Sequence, residues 1–253
     1  VAEFAANVVS DLVNTRSKAM QPCVLGLATG GTPLGLYGRL VERFRSGEIS
    51  FRGVESFNLD EYVGIPPDHP QSYHHYMNEA LFKHVDFVEG STHLPQTWEC
   101  DLEESASRYE QAIKDRGGID LQILGIGTDG HIGFNEVGSS LASRTRLKTL
   151  TRQTRLDNAR FFSIAEDVPK MALTMGIATI LESRSVLLMA TGDTKAKAIA
   201  GCVEGPVSAG NPSSALQLHP NVVVVVDEAA ASLLKHQDYY RDSENVRNSL
   251  MVT

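Results

Sequence analysis

The 253-residue sequence predicts an α/β fold built on a single doubly wound, mostly parallel sheet with helices on both faces. Two observations carry this reading. Short apolar runs alternate with longer amphipathic segments along the whole chain, as parallel βαβ units require. Several of the apolar runs also end abruptly in glycine and polar residues, as buried strands do at their carboxyl ends.

The elements follow in order. Val1–Ala19 has the apolar spacing of an amphipathic helix, and Cys23–Ala28 is a strand. Thr29–Pro33 is a loop and Leu34–Gly47 a helix; Val54–Leu59 is the next strand, followed by Asp60-Glu61-Tyr62 and a proline-rich loop. Gln71–His84 and Leu102–Arg116 read as helices, and Ile119–Ile126 is the strand that follows them. Arg146–Leu150 fits a short strand, and Pro169–Leu181 reads as a helix with proline in its first turn. Ser185–Ala190 is a strand, Thr194–Val203 a helix, Val222–Val226 a central strand and Asp227–Lys235 a further helix. No internal repeat or low-complexity linker divides them, so residues 1–253 read as one domain.

Composition narrows the class. The net charge of −8 argues against nucleic acid as a partner, although it leaves an anionic small molecule open. No apolar run approaches the ~20 residues of a membrane span, so no membrane partner is expected. Cys23, Cys100 and Cys202 are scattered and lack metal-ligand spacing. With no leader segment visible, they point to a reducing cytoplasm. The chain begins at Val1 rather than Met, which suggests that residues preceding it are missing or were removed.

Five loops carry chemistry. Gly127–Glu136 follows the strand-like run Ile119–Ile126 and sets His131 between two carboxylates, Asp129 and Glu136. An imidazole oriented by carboxylates is the usual build of a proton shuttle near neutrality. Thr29-Gly30-Gly31-Thr32 lies between a strand and a helix, where two glycines allow close approach and the helix amino terminus favours phosphate; an ordinary turn is the competing reading. In Asn58–Tyr62 the adjacent Asp60 and Glu61 cannot both point the same way in extended backbone, so one is free to enter a site while the other anchors the loop. Arg144, Arg146, Lys148, Arg152, Arg155 and Arg160 form a basic run, read either as phosphate binding or as a solvated face. Lys195 falls at a helix start, where the dipole opposes a cation and a bound anion would help to explain it. The remaining histidines have no metal spacing, and no catalytic metal is expected.

Together these loops resemble the glucosamine-6-phosphate deaminase family from Val24 to about Tyr240. The resemblance rests on Leu25–Pro33, Phe57–Gly64 with Asp68–Tyr73, Gly125–Glu136, Ser140–Thr149 and Asn158–Phe162. It implies a Rossmann-like fold and the conversion of D-glucosamine 6-phosphate and water to D-fructose 6-phosphate and ammonia, in amino-sugar catabolism, without a cofactor. Asp60 matches the base that moves a proton between C2 and C1. His131 matches the ring-opening group, held by Asp129 and Glu136. Thr29, Gly30, Gly31, Thr32, Arg160 and Lys195 match the positions that hold the sugar and its phosphate, and a lid is expected within residues 151–181. Some members are homo-oligomers, hexamers among them, activated by N-acetylglucosamine 6-phosphate; Ser139, Arg146, Lys148 and Thr149 match that second site. Two departures stand out: Val137 replaces the proline usual after the glutamate, and the strand usual before the first helix is absent. Two alternatives fit parts of the pattern: a 6-phosphogluconolactonase, which shares the glycine loop and an Asp-Gly-His loop, and a non-catalytic sugar-phosphate sensor.

Overall fold

The structure, a computed structural model, describes residues 1–159, 162 and 168–251. Its centre is a six-stranded parallel sheet of β1 (Cys23–Leu27), β2 (Val54–Asn58), β4 (Thr92–His93), β5 (Leu121–Leu124), β8 (Val186–Ala190) and β9 (Val222–Val226). The spatial order β4-β2-β1-β5-β8-β9 is, counted within this sheet alone, the doubly wound order 3-2-1-4-5-6. The strands run parallel throughout, but the order in which they are added reverses between β1 and β5, which are direct neighbours. That switch point opens a crevice at the carboxyl ends of the strands, where such sheets bind ligands.

Strand alternation divides the core into two layers. Leu25 and Leu27 face α1 (Ala2–Lys18), α2 (Leu34–Arg45) and α3 (Tyr73–Ala80) through Val9, Leu36, Leu40 and Met77. Val24, Phe57 and Leu124 face α4 (Leu102–Asp115), α6 (Ile177–Leu181) and α7 (Ala196–Val203) through Tyr109, Ile180 and Ile199. Each fully buried Leu or Phe contributes roughly 1.5–3 kcal/mol. The helices have local reasons to start where they do. Asp101 accepts from the N–H groups of Glu103 and Glu104 to cap α4, and Ser72 accepts from His75 N to cap α3.

A second sheet was not expected from the sequence. β3 (Asp60–Tyr62), β7 (Met171–Thr174) and β6 (Arg146–Thr149) form an antiparallel sheet in the order β3-β7-β6. Asp60-Glu61-Tyr62 is therefore a strand rather than a loop. Residues 169–181 are not one helix: Met171–Thr174 is the central strand of this sheet, and only Ile177–Leu181 is helical. Met, Ala and Leu favour helix in isolation, but pairing with two neighbours outweighs that preference. Close approach also governs the break between them, because a side chain at Gly176 would collide with the Ser143 carbonyl.

Two further expectations are corrected. Val222–Val226 is an edge strand, half-buried along its length, rather than a central one. Five valines encode a strand with apolar faces but do not encode its neighbours. Asp227–Lys235 contributes only the short α8 (Glu228–Ala231); the polar segment beyond it forms α9 (Gln237–Met251). The approach to α9 is pinned by the Glu204 carboxylate, which accepts from Lys235 N and His236 N. Among the described residues, no helix is long and apolar enough to cross a membrane.

Candidate active site

The loops that follow β1, β2, β5 and β8 converge on a polar cavity of about 430 Å³. Thr29, Gly30, Gly31, Thr32, Asp60, His131 and Lys195 all line it. Seven of the ten residues assigned from sequence to catalysis and substrate binding thus meet in one place. Arg160 lies outside the described residues.

The glycine loop is shaped by two phenols. Tyr37 Oη donates to the Ala28 carbonyl at 2.5 Å and Tyr76 Oη to the Gly30 carbonyl at 2.6 Å. Gly30 has φ +94°, a conformation that glycine adopts without strain. Side chains at Gly30 or Gly31 would meet nothing within 4 Å, so this backbone faces open space. α2 follows with no side chain capping its first turn, which leaves donors and the positive end of the helix dipole toward the cavity. Lys195 closes a 3-10 turn, Asp193–Lys195, beyond the end of β8.

The adjacent carboxylates of β3 separate as their alternation requires. Asp60 turns into the cavity, while Glu61 accepts from the N–H groups of Tyr73 and His74 in the first turn of α3 and from His74 Nδ1. Both are buried, at 5% and 2% exposure. Burial pushes the Asp60 carboxyl up to about 8; the Glu61 charge reinforces the rise, and a hydrogen bond from Thr174 opposes it. A carboxylate poised near neutrality is matched to taking a proton from carbon.

In the third loop, His131 Nδ1 lies 2.7 Å from Asp129 Oδ1 and 3.8 Å from Glu136 Oε2. An ionised carboxylate only accepts, so Nδ1 carries the proton and Nε2 is left to exchange one with a ligand. The hydrogen bond from the ring, above all, draws Asp129 down to about 2. Glu136 is buried; its Oε1 accepts from Thr151 N, and its Oε2 has no hydrogen-bond partner. Asp129, His131 and Glu136 are also the group among the described residues that places metal-ligand atoms within 4.8 Å of one another. A cation there would compete with the His131–Asp129 hydrogen bond, so the observed pairing favours acid–base work.

The basic run divides. Arg144 pairs with Glu110 and Glu182 and ties β6 to the helices behind it. Arg146 donates to Asn135 Oδ1 at 2.9 Å and is held below the usual guanidinium range by burial. Lys148, two residues along β6, shares its face, and Thr149 ends the strand, exposed. Ser139 is buried with its hydroxyl unpartnered. None of Ser139, Arg146, Lys148 and Thr149 lines the catalytic cavity.

Several lining residues escaped the sequence reading. Thr154 and Asn158 lie four apart on α5 (Arg152–Asn158) and therefore on one helix face, a periodic signal that was available. Tyr73 and Thr191 gave no such signal. Of the range expected to hold a lid, Ala172, Leu173, Ile177 and Ile180 are fully buried parts of β7 and α6.

Comparison with known proteins gives a consistent picture. A family model for glucosamine-6-phosphate isomerases/6-phosphogluconolactonases matches residues 1–225. The glucosamine-6-phosphate deaminase of Colwellia psychrerythraea is 54% identical over 98% of this chain and 92% of its own. The solved structure of a monomeric glucosamine-6-phosphate deaminase superposes with a TM-score of 0.88 at 46% identity, covering 92% of this chain and 95% of that one. A 6-phosphogluconolactonase from Trypanosoma cruzi shares the fold, with a TM-score of 0.73 at 22% identity over 92% of each chain.

Proposed function

This chain belongs to the glucosamine-6-phosphate isomerase/6-phosphogluconolactonase family, and we propose that it converts D-glucosamine 6-phosphate and water to D-fructose 6-phosphate and ammonia. The observation that carries the reading is that Asp60 and His131 line one polar cavity together with the glycine loop and Lys195. A base near neutrality, an oriented imidazole and an anion-binding loop are what the reaction needs.

The steps follow from the chemistry of each group. Phosphate binds at Thr29–Thr32 and Lys195, through backbone N–H groups, hydroxyls and the ammonium. His131 Nε2 takes the proton of the anomeric hydroxyl as the C1–O5 bond breaks and delivers it to O5 as the ring opens. Asp129 and Glu136 stabilise the transient imidazolium. Asp60 then removes the C2 proton while the C1 oxygen takes a proton from water, giving an enolamine, and returns its proton to C1 as the amine nitrogen releases one to water. The resulting 2-imine adds water at C2 and expels ammonia, leaving the ketose. Arg160 and a lid that begins in α5 complete the proposed binding site.

Ser139, Arg146, Lys148 and Thr149 are proposed as a second phosphate site, for N-acetylglucosamine 6-phosphate as activator of a cytoplasmic homo-oligomer, a hexamer in the fullest form. Supporting this, Arg146 and Lys148 share one strand face, and Arg146 reaches Asn135, the residue before Glu136. A monomeric relative exists, so oligomerisation is a separate question from catalysis.

Ammonia release from glucosamine 6-phosphate, measured with and without N-acetylglucosamine 6-phosphate, tests both proposals. Release in both conditions with unchanged hyperbolic kinetics keeps the enzyme and removes the activator. No release in either, with 6-phosphogluconolactone hydrolysed instead, overturns the deaminase reading.

A further inference from the structure

We propose that Thr174 is the positioning residue for the base: one hydroxyl holds the Asp60 carboxylate and the backbone of the His131 loop in a fixed relation. The proposal rests on the reading of Asp60 as the base. Thr174 ends β7, the central strand of the small sheet, and is fully buried. Its cross-strand partners are Asp60 on β3 and Arg146 on β6.

The roles of the hydroxyl follow by elimination. Phe134 N lies 3.0 Å from Thr174 Oγ1 and is a donor, so the oxygen accepts from it. The single hydroxyl proton is left for Asp60, the cross-strand neighbour whose carboxylate lies with Thr174 Oγ1 beneath Gly133. An ionised carboxylate is the better acceptor for it, so the contact favours the form that abstracts a proton.

The surrounding backbone enforces the contact. A side-chain carbon at Gly133 would stand 3.0 Å from Thr174 Oγ1 and 3.3 Å from Asp60 Oδ2, so the loop passes directly over the pair. The next residue repeats the pattern: Met175 N donates to the Leu59 carbonyl, and the Met175 carbonyl accepts from Asn135 Nδ2 at 2.8 Å. The end of β7 therefore bonds on one side to the segment bearing Asp60 and on the other to the segment bearing His131. Neither contact involves a group that binds phosphate.

Among the described residues, the ionisable groups facing Asp60 are few. Glu61 and Tyr62 share its strand; Tyr73 of α3 and Tyr109 of α4 act on it at a distance, and burial pushes all three phenols far above neutrality. His131 and Lys195 line the same cavity, and Arg146 lies two strands away. Substitution at Thr174 alters none of these, so a change in the pH profile reports on the hydrogen bond.

The test compares Thr174→Val, which keeps shape and loses the donor, with Thr174→Ser, which keeps it. Ammonia release is followed against pH. In Thr174→Val the acidic limb of kcat/KM should move upward by on the order of one pH unit, because a hydrogen bond to a charged group is lost. The kcat should fall about tenfold for the same reason, with KM little changed. Thr174→Ser should restore the limb. If the valine variant fails to fold, Thr174→Cys, with its weak donor, should give an intermediate shift. An unmoved limb in whichever of these folds overturns the proposal, as does an equal loss of activity and Tm in the valine and serine variants with no shift. Asp60→Asn is assayed alongside: full activity there removes the base reading itself, whereas an inactive Asp60→Asn beside an indifferent Thr174→Val removes only the role of Thr174.

Discussion

Asp60 and Asp129 carry the same side chain and serve the same candidate site, yet their environments move them in opposite directions. Asp60 is almost wholly buried beside a second carboxylate and is pushed up to about 8. Asp129 is exposed, and its hydrogen bond from His131 draws it down to about 2. One is poised to exchange a proton; the other stays ionised and steers a neighbour. The contrast shows that the role of a carboxylate here is set by what surrounds it.

Replacing each aspartate in turn tests that contrast most severely. Asp60→Asn should reduce ammonia release by roughly 10³-fold, within the ~10²–10⁴-fold usual for a general base, with substrate still bound. Turnover near that of the wild type would end the comparison, because Asp60 would then not be the base. Asp129→Asn should cost less, about 10–100-fold, the equivalent of one hydrogen bond to a charged group. Supplying the substrate in open-chain form should recover most of that loss; a loss that persists would place Asp129 outside ring opening.

Stability sharpens the same comparison. The folded state keeps a proton on Asp60 up to about pH 8, whereas an unfolded aspartate releases it near 4. Between those values the folded state binds more protons, so the contribution of this carboxyl to stability falls as pH rises and is least above 8. Asp60→Asn removes that dependence. Its Tm advantage over the wild type should therefore be larger at pH 8 than at pH 5. Equal advantages at both would mean that burial does not raise this carboxyl as assigned.

The smallest effect is expected at Val137, next to Glu136. It is half exposed, and among the described residues its N–H has no hydrogen-bond partner. Val137→Pro should leave turnover close to that of the wild type and stabilise the fold by about 0.4–1 kcal/mol by restricting the unfolded chain. A large loss of activity would show that Glu136 needs the freedom that a following proline removes.

Much of this molecule could be read from its sequence. The alternation of strands and helices predicted the parallel sheet, because a strand buried on both faces must be apolar and must end where its loop becomes polar. The abrupt transitions after Leu27, Asn58 and Leu124 located Thr29–Thr32, Asp60 and His131, all of which line the cavity. The pairing of Asp60 with Glu61 was itself informative, since a two-residue period forces one inward and one outward.

Other features depend on contacts distant in sequence. The small sheet joins segments near residues 60, 147 and 172, and no local pattern distinguishes Met171–Thr174 from the first turn of a helix. The five valines of β9 require a strand, but their place at the edge follows from which strands the sheet leaves without a second neighbour. Thr174 carries no local signal, because its part depends on Asp60 and Phe134, 114 and 40 residues away. The sequence by itself determined most elements of the parallel sheet and its covering helices and the residues competent for the chemistry, since these depend on local periodicity and side-chain type. Only the tertiary structure decided which carboxylate is raised, which is lowered and what holds each in place, because desolvation and hydrogen bonding are properties of the assembled surroundings.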